Sequence, residues 1–237
     1  MIKATEYNCT VKSFEMLTPT VFHTEFETDR PLSFKAGQFI SIIIPGAGPK
    51  GRDLRRAYSI ASSPESKLVQ LCIRLVHEGP GTNYLHKLRP GDHLKGWAPY
   101  GDFTYKTPAT KQVCFVSTGT GLSPFRSMIE SSHYREMPPL STLCLHGVRS
   151  EDELLYSHIF SKAPKTTFLQ AVSQPSAQWK GFKGRVTDYL RELGDKFEWL
   201  NTEYYLCGNG AMINETKTLL LEKGVPKENV HLEIYYK

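Results

Sequence analysis

At Lys106-Thr107-Pro108-Ala109-Thr110 the periodicity of the chain changes, and that change limits the folds open to it. Before it, short alternating or apolar runs at 7–14, 21–27, 39–44, 57–61 and 69–76 follow one another with β-branched and aromatic enrichment. Thr18-Pro19, Asp29-Arg30-Pro31, Pro45-Gly46 and Arg89-Pro90-Gly91-Asp92 supply turn chemistry between them. Short strands spaced in this way read as an antiparallel barrel or sandwich. After it, strand signals at 113–117, 141–147, 168–173, 203–207 and 230–234 alternate with helix signals at 123–134, 152–162, 186–193 and 211–223. Such alternation implies right-handed crossovers and a parallel sheet covered on both faces. The fold class expected is therefore two-domain: an antiparallel β-barrel over 1–107, then an α/β parallel-sheet domain over 108–237, with the polar, proline-bearing segment as linker.

Composition removes several function classes. The formal charge of +5 is too small to imply nucleic-acid binding. The five cysteines, 9, 72, 114, 144 and 207, are scattered without metal-ligand or redox-motif spacing, so no metal site and no iron–sulfur cluster is expected. The N-terminus lacks the apolar core of a signal peptide and no apolar run approaches bilayer length. A cytoplasmic protein without a membrane partner, and a monomer, is the expectation.

Four stretches carry chemistry. In Arg55-Arg56-Ala57-Tyr58-Ser59-Ile60-Ala61, alternation puts Arg56, Tyr58 and Ile60 on one face and Ala57, Ser59 and Ala61 on the other. A guanidinium can clamp a phosphate with two hydrogen bonds, and a phenol offers a flat surface with a polar tip. Taken alone, the stretch reads better as a polar edge strand than as a cofactor site. Gly79-Pro80-Gly81-Thr82 precedes a short helical run, with Thr82 placed as its N-cap, and a helix start is either simply capped or a second phosphate position. In Val113 to Met128 a buried strand runs into Thr118-Gly119-Thr120-Gly121 and then a helix with Pro124 in its first turn. Glycines at that turn let a dinucleotide approach the backbone, although the spacing is not that of the Rossmann fingerprint or the P-loop. Leu206-Cys207-Gly208-Asn209-Gly210 repeats the arrangement at a later strand. For Cys207 a small buried hydrophobe is the commoner fate, and no neighbouring histidine suggests thiolate activation.

The ordered set R-A-Y-S, G-P-G-T, G-T-G-L-S-P-F, C-G-N-G-A-M and terminal E-I-Y-Y resembles the ferredoxin–NADP reductase superfamily over nearly the whole chain. The resemblance implies a flavin-binding barrel followed by a nicotinamide-nucleotide domain, with FAD and NADP(H) as cofactors. It implies that Arg56 holds the flavin pyrophosphate, Tyr58 packs on the flavin with Ala57 beside it, and Ser59 bonds the nitrogen that accepts hydride. Cys72, Ile73 and Arg74 would edge the ring system, and Gly81 and Thr82 would complete the diphosphate site. Thr118, Gly119, Thr120, Gly121 and Pro124 would take the nicotinamide nucleotide, with Cys207 and Gly208 beside its ring. Glu233 and Tyr235 match the terminal Glu-x-Tyr whose aromatic ring covers the flavin. Tyr236 and Lys237 follow, so either terminal tyrosine could be the one that stacks. Ser59, Cys207, Glu233 and Tyr235 are thus the residues expected at the reacting atoms.

One departure bears on the nucleotide. NADP(H)-using members often carry Ser-Arg where this chain has Ser173-Gln174, while Arg149 and Arg185 match two other arginine positions, with Lys183 close by. The balance favours NADPH over NADH. With no iron–sulfur centre of its own, the chain is expected to use an outside acceptor. Ferredoxin or flavodoxin, both acidic, would suit the cluster Lys50, Arg52, Arg55 and Arg56. Three other readings stay open: a reductase of free flavin, which the stretch 172–181 resembles, an NADH-dependent reductase component serving another electron acceptor, and a non-enzymatic nucleotide-binding module.

Overall fold

The computed structural model describes residues 3–106 and 110–236, with Tyr236 described in its backbone only. The linker centred on Pro108 and the boundary between 107 and 108 fall on residues 107–109, outside the described residues. Contacts divide the chain into two compact units. The first holds the residues up to Tyr105 together with Ser123–Ser132, and the second holds the remainder.

The first unit is an antiparallel sheet of six strands in the order β4-β3-β6-β1-β2-β5. These are β1 (Thr5–Thr18), β2 (Val21–Thr28), β3 (Phe39–Ile44), β4 (Leu54–Ser59), β5 (Val69–Arg74) and β6 (His93–Tyr100). An isolated antiparallel bridge between Ile60 and Leu71 joins the two edges, so the sheet closes into the expected barrel. Alternation does the sorting: Ile40, Ile42 and Ile44 on β3 are buried, as are Phe22 and Phe26 on β2. β6 escapes a sequence reading because Gly96 and Pro99 interrupt its pattern. Its neighbours explain the glycine: a Cβ at Gly96 would lie 2.9 Å from Ile40 Cδ1.

Helix α1 (Pro80–Lys87) plugs the barrel with the buried Leu85. Its N-cap is Gly79, not Thr82 as the sequence suggested. The Thr82 hydroxyl instead accepts from Val76 N at 3.2 Å, holding the turn that leads into the helix. Helix α2 (Ser123–Glu130) belongs to this unit although it follows the second unit's first strand. Arg126 Nη2 donates to Gln70 Oε1 at 2.7 Å, Ser127 Oγ donates to Ser62 O at 2.7 Å, and Phe125 packs on Phe103.

The second unit is a six-stranded parallel sheet in the order β10-β9-β8-β7-β11-β12. Its strands are β7 (Gln112–Thr118), β8 (Thr142–Val148), β9 (Thr166–Val172), β10 (Phe182–Lys183), β11 (Thr202–Asn209) and β12 (Val230–Tyr236). Strand-helix alternation was the right sign of it. The expected helix over 123–134 is broken into α2 and α3 (Ser132–Glu136), because Ser131 turns its amide and hydroxyl back onto Met128 O. The helix expected over 152–162 shrinks to α4 (Ser157–Phe160): Tyr156 takes a positive φ of 51°, which an uninterrupted helix does not allow. Helices α5 (Val186–Glu192) and α6 (Gly210–Glu222) lie close to their expected positions. Val116, Leu145, Leu206, Leu190 and Ile213 build the core on one sheet face. Among the described residues no helix is long and apolar enough to cross a membrane.

Candidate functional site

In the first unit the Ile60–Leu71 bridge marks where β4 and β5 part. The β4 residues before it, Ala57 to Ser59, and the β5 residues after it, Cys72, Ile73 and Arg74, are the positions assigned to the flavin. β4 pairs through its other edge with β3, Tyr58 opposite Ile40 and Arg56 opposite Ile42, which sets Arg56 and Tyr58 on a shared face. The first turn of α1 arrives on that face: a Cβ at Gly81 would lie 2.6 Å from Tyr58 Oη and 2.8 Å from Arg56 Cγ. A side chain at 81 would push Tyr58 and Arg56 from these positions. The fold thus gathers Arg56, Tyr58 and Gly81, with Thr82 beside them in α1, and holds Ser59 buried on the neighbouring face.

Electrostatics suit an anion there. Burial pushes the Tyr58 phenol up to about 12, against a smaller opposing effect from Arg56, so it stays a neutral donor. Arg56 Nη1 donates to Arg55 O at 2.9 Å, and among the described residues none of Lys50, Arg52, Arg55 and Arg56 pairs with a carboxylate. Asp53, the one acid in that stretch, accepts from Gly46 N at 3.1 Å and so braces the β3–β4 loop. Arg55 lies over the Trp97 ring, 4.9 Å from its centroid, with its charge still exposed. A guanidinium next to a neutral phenol, beside a splayed pair of strand edges, can take a phosphate and a flat ring.

In the second unit the strand order reverses between β7 and β11, whose carboxyl ends form the switch point where open α/β sheets bind ligands. Both glycine turns meet there. A Cβ at Gly121 would lie 2.3 Å from Cys207 O, and one at Gly208 would lie 2.5 Å from Thr118 Oγ1. Gly208 also has φ of +131°, a conformation side chains avoid. Asn209 N donates to Thr118 Oγ1 at 3.1 Å, and Asn209 Oδ1 caps α6 by accepting from Ala211 N at 2.7 Å. Gly119 has φ of +54°, and a Cβ there would meet nothing within 4 Å, so the backbone at Gly119 is open to a ligand. Thr120 continues that turn, whereas Pro124 sits buried at the start of α2 and groups with the barrel.

Cys207 pairs in register with Glu233 on β12 and with Ser117 on β7. Burial raises its thiol well above the ordinary range, the Glu233 charge adds to this, and a hydrogen bond with Tyr235 opposes it. It is a neutral, fully buried thiol, not a nucleophile. Tyr236 continues β12, opposite Asn209. In the same row His146 Nδ1 lies 3.1 Å from Ser117 Oγ, and burial holds its imidazole down to about 3. Neither that bond nor the Asn209 cap was read from the sequence, though Asn before Gly-Ala at a helix start is a capping signal. At the carboxyl ends of β8, β9 and β10 come Arg149, Ser173 and Arg185; Arg149 and Arg185 are exposed, and no carboxylate pairs with either guanidinium among the described residues.

Comparison with known proteins gives matches along nearly the whole chain. Residues 8–105 match the oxidoreductase FAD-binding domain family, and residues 115–218 match the oxidoreductase NAD-binding domain family. The chain is 30% identical to ferredoxin–NADP reductase B of Sorangium cellulosum, covering 99% of this chain and 100% of that protein. It is also 30% identical to the reductase component of phenol 2-monooxygenase from Pseudomonas sp., over 98% of this chain and 66% of that protein. A solved ferredoxin NADP+ reductase from Neisseria gonorrhoeae with bound FAD and NADP shares the fold, with a TM-score of 0.85 at 22% identity over 99% of this chain and 100% of that one. A cytochrome P450 reductase from Amycolatopsis superposes with a TM-score of 0.87 at 24% identity, over 99% of this chain and 71% of that one.

Proposed function

Because this chain belongs to the ferredoxin–NADP reductase superfamily, an oxidoreductase with FAD and nicotinamide-nucleotide domains, we propose that it transfers hydride between NADPH and FAD and single electrons between FAD and ferredoxin or flavodoxin. The observation that carries this reading is the pair of glycine-dependent approaches: Gly81 against Arg56 and Tyr58, and Gly121 against Cys207. Each brings together residues far apart in sequence that the reading needs side by side. The domain bounds that go with it are 1–107 for FAD and 108–237 for the nicotinamide nucleotide.

When bound, FAD supplies the step from two-electron to one-electron chemistry. The chain's own residues do the rest. Arg56 binds the diphosphate through its guanidinium, with Gly81 and Thr82 at the start of α1 completing that cradle. Tyr58 lays its neutral ring against the flavin, while the strand edges at Ala57 and at Cys72, Ile73 and Arg74 orient it. Ser59 holds a proton at the ring nitrogen, and its burial keeps water from competing. Thr118, Gly119, Thr120, Gly121 and Pro124 orient the nicotinamide nucleotide. Cys207 and Gly208 give the ring a close-packed floor, Glu233 sets the charge beside it, and a terminal tyrosine, Tyr235 or Tyr236, shields the flavin from solvent. Arg149, Ser173 and Arg185 receive the 2′-phosphate of NADPH.

The exposed cluster Lys50, Arg52, Arg55 and Arg56, none of which pairs with a carboxylate among the described residues, supports an acidic electron carrier as partner. Ferredoxin reduction should slow steeply as ionic strength rises; a rate indifferent to salt would remove the docking role. A second reading, an NADH-dependent reductase serving another acceptor, is favoured by Gln174 in place of a cation and by the phenol 2-monooxygenase reductase relative. A protein that holds no flavin but reduces added flavin would point instead to a flavin reductase.

A further inference from the structure

The strands β8, β9 and β10 end in one register row, Val148 opposite Val172 and Val172 opposite Lys183. The pairing then runs on by one more residue than the sheet needs. Ser173 N donates to Val148 O at 3.1 Å, and Gln174 N donates to Arg149 O at 2.8 Å. This extension carries Gln174 alongside Arg149, and the Gln174 side-chain oxygen accepts from Arg149 Nε at 2.8 Å. Two of the acids that follow Arg149 have hydrogen-bond partners of their own. Glu153 Oε2 accepts from Arg149 N at 3.2 Å, and Glu151 Oε1 accepts from Ser176 N at 2.8 Å and Ser176 Oγ at 2.6 Å.

A guanidinium fixed at Nε keeps its outer pair of nitrogens pointed one way, the edge that grips a phosphate with two parallel bonds. Free arginine side chains lose several rotamers on binding an anion, and restraint beforehand lowers that loss. We propose that Gln174 is a positioning residue for nucleotide selectivity, orienting Arg149 toward a phosphate monoester on the adenosine ribose. The side chain at 174 thus contributes alignment and no charge of its own. This inference rests on the NADPH reading above and adds to it the residue through which Arg149 acts.

The test is a double-mutant cycle in the full chain with two probes, adenosine 2′,5′-bisphosphate and adenosine 5′-monophosphate, their affinities measured by calorimetry. Gln174→Ala should weaken the bisphosphate about five- to tenfold and leave the monophosphate unchanged. Arg149→Ala should weaken the bisphosphate further, and adding Gln174→Ala to it should cost nothing more. If Gln174→Ala is silent while Arg149→Ala is not, the positioning role is wrong and the NADPH reading survives. A full Gln174→Ala loss persisting in the Arg149→Ala background would show direct contact with the nucleotide and also overturn it. If Arg149→Ala itself does not change the ratio of the two affinities, Arg149 does not receive the phosphate and this inference falls; a wild-type protein that binds both probes equally would instead overturn the NADPH reading.

Discussion

His146 is fully buried on β8, bonded through Nδ1 to Ser117, with no partner for Nε2 among the described residues. Its imidazole takes a proton near 6.5 in the unfolded chain but only near 3 in the fold, because burial penalises the charged form. A folded value below the unfolded one means that stability is full above the unfolded value and is lost as pH falls. Between the two values the unfolded state binds a proton that the native state refuses. From about pH 7 to about pH 5 this costs about 2 kcal/mol, rising to about 4 kcal/mol near pH 3. His146→Leu removes the titration, and Ser117 Oγ retains Leu145 O as an acceptor at 3.3 Å. Urea unfolding of both proteins at several pH values is the assay. The stability difference between wild type and variant should shift by about 2 kcal/mol in the variant's favour between pH 7 and pH 5. His23 in the barrel, held down to about 4 mainly by burial, adds an effect of the same sign, but it is present in both proteins and cancels. A difference that does not change with pH would refute the assignment of a buried neutral imidazole.

The glycine turns give a paired prediction. Gly121→Ala drives a Cβ to 2.3 Å from a carbonyl oxygen, and should cost about 1–3 kcal/mol of stability along with nucleotide affinity. Gly119→Ala meets no atom within 4 Å and should cost only about 1 kcal/mol for its positive φ; thermal melts and nucleotide titrations compare the two. Gly81→Ala crowds Arg56 Cγ at 2.8 Å, and should lower FAD affinity about tenfold by fluorescence titration while the barrel stays folded. Ser59→Ala should slow flavin reduction in a single turnover about a hundredfold with FAD retained, and an unchanged rate would remove its role at the ring nitrogen.

What the sequence disclosed, and what it hid, follows the range of the forces involved. β3 came out at its predicted bounds, because Ile40, Ile42 and Ile44 alternate with Phe39, Ser41 and Ile43 between turn residues. β6 did not, because its ladder partners on β1 and β3 hold a strand that its own Gly96 and Pro99 disfavour. The two-residue β10 is too short to leave a periodic signal. The grouping of α2 with the barrel depends on Arg126 reaching Gln70 across 56 positions, which no local pattern encodes. For the candidate site, motif order brought forward residues that the fold gathers: Arg56, Tyr58 and Gly81 in the barrel, and Thr118, Gly121, Cys207 and Gly208 in the parallel sheet. The Arg149–Gln174 and Ser117–His146 bonds, which join strand ends distant in sequence, needed coordinates.

The central claim is that the barrel unit holds a flavin which a nicotinamide nucleotide reduces. Anaerobic titration of the FAD-loaded full chain with NADPH, and separately with NADH, followed in the visible flavin absorption, tests it directly. The account predicts stoichiometric bleaching, faster with NADPH, and recovery of the absorption when oxidised ferredoxin is added. A flavin that stays oxidised with both nucleotides would contradict it.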